Sequence, residues 1–249
     1  MFMEENIGIF DSGIGGVTVF KEILKVLPKE NYIYYSDSKN NPYGGRDDET
    51  VKRISDSIVK FLIEKGSKAI VIACNTASAK AAQFLRDKYS NIPIIAIEPA
   101  YKMVYDFAYN DSTLVMATVG TIESDKFKKL YNNYNNKKTI LLPCNGLAEL
   151  IENEDNDEIW KYLEKNVAQY KGMVKNVVLG CTHYPLIKNQ IRETLGDVRF
   201  FDGSESLANH LKKVLVDQNK ISFSGGKIEF FDSQKSKIKE KRFWSLLQK

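Results

Sequence analysis

Cysteine and histidine are scarce in this chain, and long apolar runs are missing. Its 249 residues include three cysteines, Cys74, Cys144 and Cys181, and two histidines. An odd, widely spaced set of cysteines argues against a disulfide framework and for a reducing compartment. Without a CxxC pair, so few thiols and imidazoles do not make a structural zinc site. Runs such as AIVIAC are far too short to cross a bilayer. The acidic start MFMEENIGIF lacks the positive region of a signal peptide. A cytoplasmic protein with no membrane role is expected. There is no Walker-type lysine loop. The GIGG at 13–16 falls short of the dinucleotide fingerprint, and Asp11 beside it would repel a pyrophosphate. No lysine is marked out for a pyridoxal Schiff base, so no cofactor is expected.

What is present is ordinary for a globular protein: 43% hydrophobic and 27% charged residues. The length fits one large domain or two small ones and supports a sizeable core. Net charge is +4, and KSKIKEKR at 235–242, with five basic residues and one acid, accounts for all of it. A nucleic-acid role would want a basic patch with readout elements, so none is expected, and the segment reads as a solvated helix face.

Short β-like runs alternate with helix-length segments. The strands are expected at 6–10, 32–36, 69–73, 92–97, 112–117, 138–142, 176–180, 198–201 and 227–231. Several are continuous apolar runs, as in parallel strands buried on both faces. Val51, Ile54, Ile58, Phe61 and Leu62 follow helical spacing, with Gly66 placed to end that helix. The stretch from 146 to 172 reads as helical material broken by an acidic turn. This alternation predicts an α/β fold with mainly parallel sheets.

VIACNTASA at 71–79 returns in altered form as VLGCTHYPL at 178–186, with the two cysteines 107 residues apart. At the same offset, 7–23 falls on 114–130, pairing Gly13 with Gly120, Phe20 with Phe127 and Lys21 with Lys128. Two regions sharing one ungapped offset point to a duplicated α/β unit. Ligands of open α/β sheets bind beyond the carboxyl ends of the strands. Two such units facing each other would bring Cys74 and Cys181 to opposite walls of a cleft.

Each of these cysteines ends an apolar strand and precedes an expected helix, whose N-terminal N–H groups favour a thiolate. A single such cysteine is commonly a small core residue; the pair, each followed by polar residues, is better read as functional. Cys144, in LLPCNG, reads as structural. Two thiols on opposite faces of a carbon can remove a proton from one side and deliver one to the other, inverting a stereocentre. Asp11, in FDSGIGG, either caps a helix or serves a substrate ammonium or a thiol. His183 stands two residues after Cys181 and can assist it. Ser12, Asn75, Thr76, Thr118, Thr121 and Thr182, with PYGG at 42–45, offer donors for carboxylates. A cysteine hydrolase would leave the second cysteine unexplained, and a non-catalytic amino-acid binding protein would have no use for paired thiols.

FDSGIGG, NPYGG, ACNTASA, IEPA and LGCTHYPL, in this order and spacing, resemble the glutamate racemases of the cofactor-independent aspartate/glutamate racemase superfamily, from about residue 6 to about 210. The resemblance implies two pseudo-symmetric α/β domains, 1–97 with 208–249 and 98–207, with the active site between them. It implies interconversion of L- and D-glutamate, supplying D-glutamate for peptidoglycan, with a homodimer left open. An aspartate racemase is the nearest rival. Cys74 and Cys181 match the two acid-base cysteines, Asp11 the carboxylate beside the first and His183 the imidazole beside the second. Ser12, Tyr43, Gly44, Asn75, Thr76 and Thr182 match substrate-binding positions, with Thr118 and Thr121 beside them. A further family acid falls on Glu152, in GLAELIE, with Glu149 as the alternative. The final forty residues carry no motif of the family.

Overall fold

The structure, a computed structural model, describes residues 5–248. Residues 1–4 and 249, which the expected first domain includes, lie outside the described residues. All nine expected strands form, with ends shifted by a few residues at most. In the first half they are β1 (Asn6–Asp11), β2 (Tyr32–Ser36), β3 (Ser67–Ile72) and β4 (Ile94–Ala96), separated by α1 (Val17–Val26), α2 (Asp48–Glu64) and α3 (Asn75–Lys88). The second half runs α4 (Tyr101–Ala108), β5 (Thr113–Ala117), α5 (Val119–Ile122), α6 (Asp125–Tyr134), β6 (Thr139–Pro143), α7 (Leu147–Glu152), α8 (Asn156–Asn166), β7 (Asn176–Gly180), α9 (Lys188–Leu195) and β8 (Arg199–Phe201). The chain closes with α10 (Ser204–Asp217), β9 (Ile228–Asp232) and α11 (Lys237–Gln248).

The strands form two all-parallel sheets, ordered β4-β3-β1-β2-β9 and β6-β5-β7-β8. Without β9 the two orders are the same: the first strand of each half lies between the second and the third, and the fourth is at an edge. The repeat seen in the sequence is therefore a repeat of topology. β9 lengthens the first sheet beyond β2.

Alternation in β1 explains its complete burial. Ile7 and Ile9 pack with Val17, Phe20 and Ile23 of α1 and with Leu207 and Leu211 of α10. Phe10 faces the other way, among Val51, Ile58 and Leu62 of α2 and Ala77 and Ala81 of α3. Each large side chain so buried contributes about 1.5–3 kcal/mol. The second sheet is covered in the same manner by α7, α8 and α9 on one face and α4 and α6 on the other. Helix α2 starts where Asp47 accepts the Thr50 N–H at 2.8 Å. It stops before Gly66, whose φ of 85° a side chain would oppose. Among the described residues no helix is long and apolar enough to cross a membrane.

This topology positions the site. In each sheet the chain leaves the first strand toward one side and returns on the other, so a crevice opens between the first and third strands at their carboxyl ends. Asp11 ends β1, Ser12 follows it, and Cys74 follows β3. Thr118 follows β5, and Cys181, Thr182 and His183 follow β7.

The solvated-face reading of 235–242 does not hold for all of it. Lys239 and Arg242 lie against α7 of the other sheet, the first paired with Glu152 and the second with Glu154. Phe243, fully buried, pins α11 to the first sheet, so that face of the helix cannot be solvated.

Candidate active site

The two crevices face each other across one small cavity. It is lined by Ser12, Asn41, Pro42, Tyr43, Gly44, Cys74, Asn75, Thr76, Thr118, Ala148, Cys181, Thr182 and His183. Both cysteines lie on it, each less than a tenth exposed. Asp11, Thr121 and Glu152 stand behind the lining. The cavity measures about 20 Å³, room for roughly one water.

Cys74 is itself the N-cap of α3: its sulfur accepts the Ala77 N–H at 3.5 Å and lies 3.6 Å from Ser12 Oγ. Burial, and then the charge of Asp11, push the thiol up to about 12, against the Ala77 N–H and the Ser12 hydroxyl. The second copy differs from the expected helix start. After Cys181 comes a 3₁₀ turn at Tyr184–Ile187 that contains Pro185, and α9 begins only at Lys188. Pro185 has no N–H to offer. The group beside Cys181 is instead His183, whose Nδ1 lies 3.8 Å from the sulfur.

Asp11 is not a helix cap, since α1 starts from Gly16. One carboxylate oxygen accepts the Gly13 N–H at 2.7 Å and the other accepts the Thr182 hydroxyl at 3.0 Å, a bond between the two halves. Burial holds this carboxyl above its usual range, against the His183 charge and the Gly13 N–H. Thr118 caps α5 and also meets the Thr76 hydroxyl at 2.9 Å, again across the halves. The Tyr43 hydroxyl donates to Asp37 at 2.5 Å, and of the PYGG loop Pro42, Tyr43 and Gly44 line the cavity whereas Gly45 does not. Among the described residues the buried Asn75 amide nitrogen has no hydrogen-bond partner, a donor in want of an acceptor.

Glu152, and not Glu149, stands behind His183. One Glu152 oxygen accepts from His183 Nε2 at 2.7 Å and from the Ile14 N–H at 3.0 Å; the other meets Lys239 Nζ at 2.8 Å. Two of the three glycines of FDSGIGG, Gly13 and Gly15, are explained by this approach. A Cβ on Gly13 would lie 2.7 Å from the Glu152 carboxylate, and one on Gly15 would lie 2.5 Å from the His183 ring. Burial opposes the Glu152 charge most strongly, yet the His183 bond and charge, then Lys239 and the Ile14 N–H, outweigh it and hold the acid at about 2. Burial likewise opposes a charged His183. Its bonds to Cys181 and Glu152, with their charges, outweigh that and hold the imidazole well above its usual range.

The pair has a pH signature. Between about 2 and 4.5 the unfolded chain binds more protons at Glu152, so stability rises with pH. Above 6.5 the folded state keeps a proton on His183 that the unfolded chain loses, so stability falls. Urea unfolding of the protein and its Glu152→Gln variant should therefore differ most between pH 4.5 and 6.5, with an acid limb on the order of 3 kcal/mol. A pH-independent difference would contradict an ionised Glu152.

Sequence reasoning missed Lys239 and Arg242, and no local signal could have found them, because their partners lie about ninety residues away. Asp37 was also missed; its place six residues before Tyr43 was the available hint.

The chain matches the Asp/Glu/Hydantoin racemase family over residues 7–211. It is 43% identical to a glutamate racemase of Clostridium kluyveri, covering 97% of both chains. A glutamate racemase isoform from Bacillus anthracis has a similar structure, with a TM-score of 0.86 at 31% identity over 100% of this chain and 96% of the other. The glutamate racemase of Francisella tularensis, solved in complex with D-glutamate, matches with a TM-score of 0.83 at 28% identity over 100% and 95%.

Proposed function

The chain belongs to the Asp/Glu/hydantoin racemase family, and from that premise we propose that it interconverts L- and D-glutamate by proton transfer between Cys74 and Cys181. The observation that carries this reading is the placement of the two cysteines at matching strand ends of the two repeats, on one cavity. For L-glutamate, the Cys181 thiolate takes the α-proton and the carbon flattens. The Cys74 thiol then gives its proton to the opposite face, leaving D-glutamate, a Cys181 thiol and a Cys74 thiolate. The reverse direction exchanges the roles. Asp11 and His183 serve proton exchange at the first and second thiol, and Glu152 orients His183.

Ser12, Tyr43, Gly44, Asn75, Thr76, Thr118, Thr121 and Thr182, with Asp11 and His183, make up the substrate-binding set. The unpartnered Asn75 amide and the N–H groups at the start of α3 suit a carboxylate. The division into domains at 1–97 with 208–249 and 98–207 belongs to the same reading. It is supported by the two sheets of matching strand order. The D-glutamate formed would serve peptidoglycan synthesis. Three free cysteines favour a reducing, cytoplasmic setting.

The test is incubation of dialysed protein with L-glutamate in D₂O. D-Glutamate should appear carrying deuterium at Cα, while early unreacted substrate keeps its hydrogen. Product that retains the hydrogen would point to a single base. No product, or a preference for aspartate, would overturn the reading.

A further inference from the structure

We propose that Lys239 is a positioning residue for this reaction: from the C-terminal helix it holds the Glu152 carboxylate turned onto His183, and so keeps the imidazole in place beside Cys181. The inference rests on the function proposed above.

Helix α11 is fastened to the first sheet. Phe243 is fully buried, with its ring 4.6 Å from that of Phe230, 4.8 Å from Tyr34 and 6.2 Å from Phe20. Lys239 lies one turn before Phe243 and shares its face. The aromatic anchor therefore fixes where the ammonium can reach. It reaches Glu152, a residue of the other half, at 2.8 Å. Arg242, on the same helix, donates to the backbone carbonyls of Ile151 and Glu152 at the end of α7. The helix thus grips both the backbone and the carboxylate of the residue behind His183.

The two Glu152 oxygens have separate tasks. Oε2 is engaged by His183 and the Ile14 N–H, and Oε1 by Lys239. Glu152 is 5% exposed, so removing Lys239 leaves Oε1 without its partner inside the protein. A buried carboxylate in that state turns toward another donor or takes up a proton. Either change weakens its hold on Nε2. The ring then drifts from Cys181, and a displacement of this kind costs turnover. Only the Cys181 side is touched, because Cys74 has Ser12, Asp11 and the α3 N-terminus around it.

That asymmetry cannot be read from racemisation alone. L- and D-glutamate have equal free energies, so kcat/KM is the same in both directions for every variant. A reaction that uses one base can reveal it. From 3-chloroglutamate a thiolate takes the α-proton, the Cβ–Cl bond breaks and a Cα=Cβ bond forms. The resulting enamine hydrolyses to 2-oxoglutarate and ammonium. The L-form draws on Cys181 and the D-form on Cys74.

In Lys239→Met, glutamate turnover should fall about tenfold with KM within twofold. Elimination from the L-analogue should fall by the same factor, and that from the D-analogue by less than twofold. Lys239→Arg should return to within threefold of the parent, and Lys237→Met should behave as the parent. The ratio of L- to D-elimination does not depend on how much protein is folded, so a general loss of stability would lower both equally. Equal loss for both enantiomers, or no loss in a parent that racemises glutamate, overturns the inference alone. A parent that does not racemise glutamate overturns the proposed function and this inference with it.

Discussion

Cys74→Ser and Cys181→Ser are each expected to reduce glutamate racemisation on the order of a thousandfold, while each leaves one handed reaction intact. Serine keeps the shape of the side chain, but its hydroxyl resists ionisation and is a far weaker base. In the proposed mechanism racemisation needs both groups in every turnover, one as base and one as acid. Elimination from 3-chloroglutamate needs one. Cys181→Ser should still process the D-analogue and Cys74→Ser the L-analogue. Cys144 lies with Leu147 and Tyr184 in the second core, its sulfur 3.4 Å from the Leu142 carbonyl and off the cavity. Cys144→Ser should therefore remain active. If both single variants process both enantiomers equally, the division of labour between the thiols is wrong and one base serves both faces.

The second large effect is expected from a single methyl group. In Gly15→Ala the new Cβ would stand 2.5 Å from His183 Nδ1 and 2.7 Å from Cε1. The ring cannot move aside cheaply. It is 2% exposed, bonded to Glu152 through Nε2 and set against Cys181 through Nδ1. Overpacking of this kind costs about 1–3 kcal/mol of stability. Displacing the imidazole by a fraction of an ångström to an ångström should lower turnover roughly a hundredfold. Gly45→Ala is the control, because a Cβ there meets nothing within 4 Å. Kinetics and thermal unfolding of the two variants check this. Gly15→Ala that matches Gly45→Ala in both would mean that the two halves do not close on each other as described.

Much of the candidate site was legible because duplication and strand-end placement are local features. The apolar run before each cysteine makes a parallel strand, and the polar run after it makes the loop at the strand's carboxyl end. A fixed offset between the copies then implies equivalent places in two sheets. The choice of Glu152 over Glu149 was not legible. Both lie on the six-residue helix α7, and only the packing of α7 against His183 separates them. The character of 235–242 was misread for a related reason. Five basic residues in eight look solvated, and the apolar residues that follow, Phe243, Trp244, Leu246 and Leu247, do not say which elements the helix packs on.

By itself the sequence determined the α/β class, all nine strands, the repeat and the pairing of Cys74 with Cys181, because each depends on hydrophobic periodicity or on spacing along the chain. Tertiary structure alone decided how the groups beside the cysteines are held: Asp11 by the Thr182 hydroxyl of the other half, and His183 by Glu152, itself bound by Lys239 and the Ile14 N–H, with Gly13 and Gly15 packed against the pair. These contacts join residues from 31 to 171 positions apart. Their partners are set by how two separately wound sheets close on each other, and burial, which gives those charges their altered proton affinities, exists only after that closure.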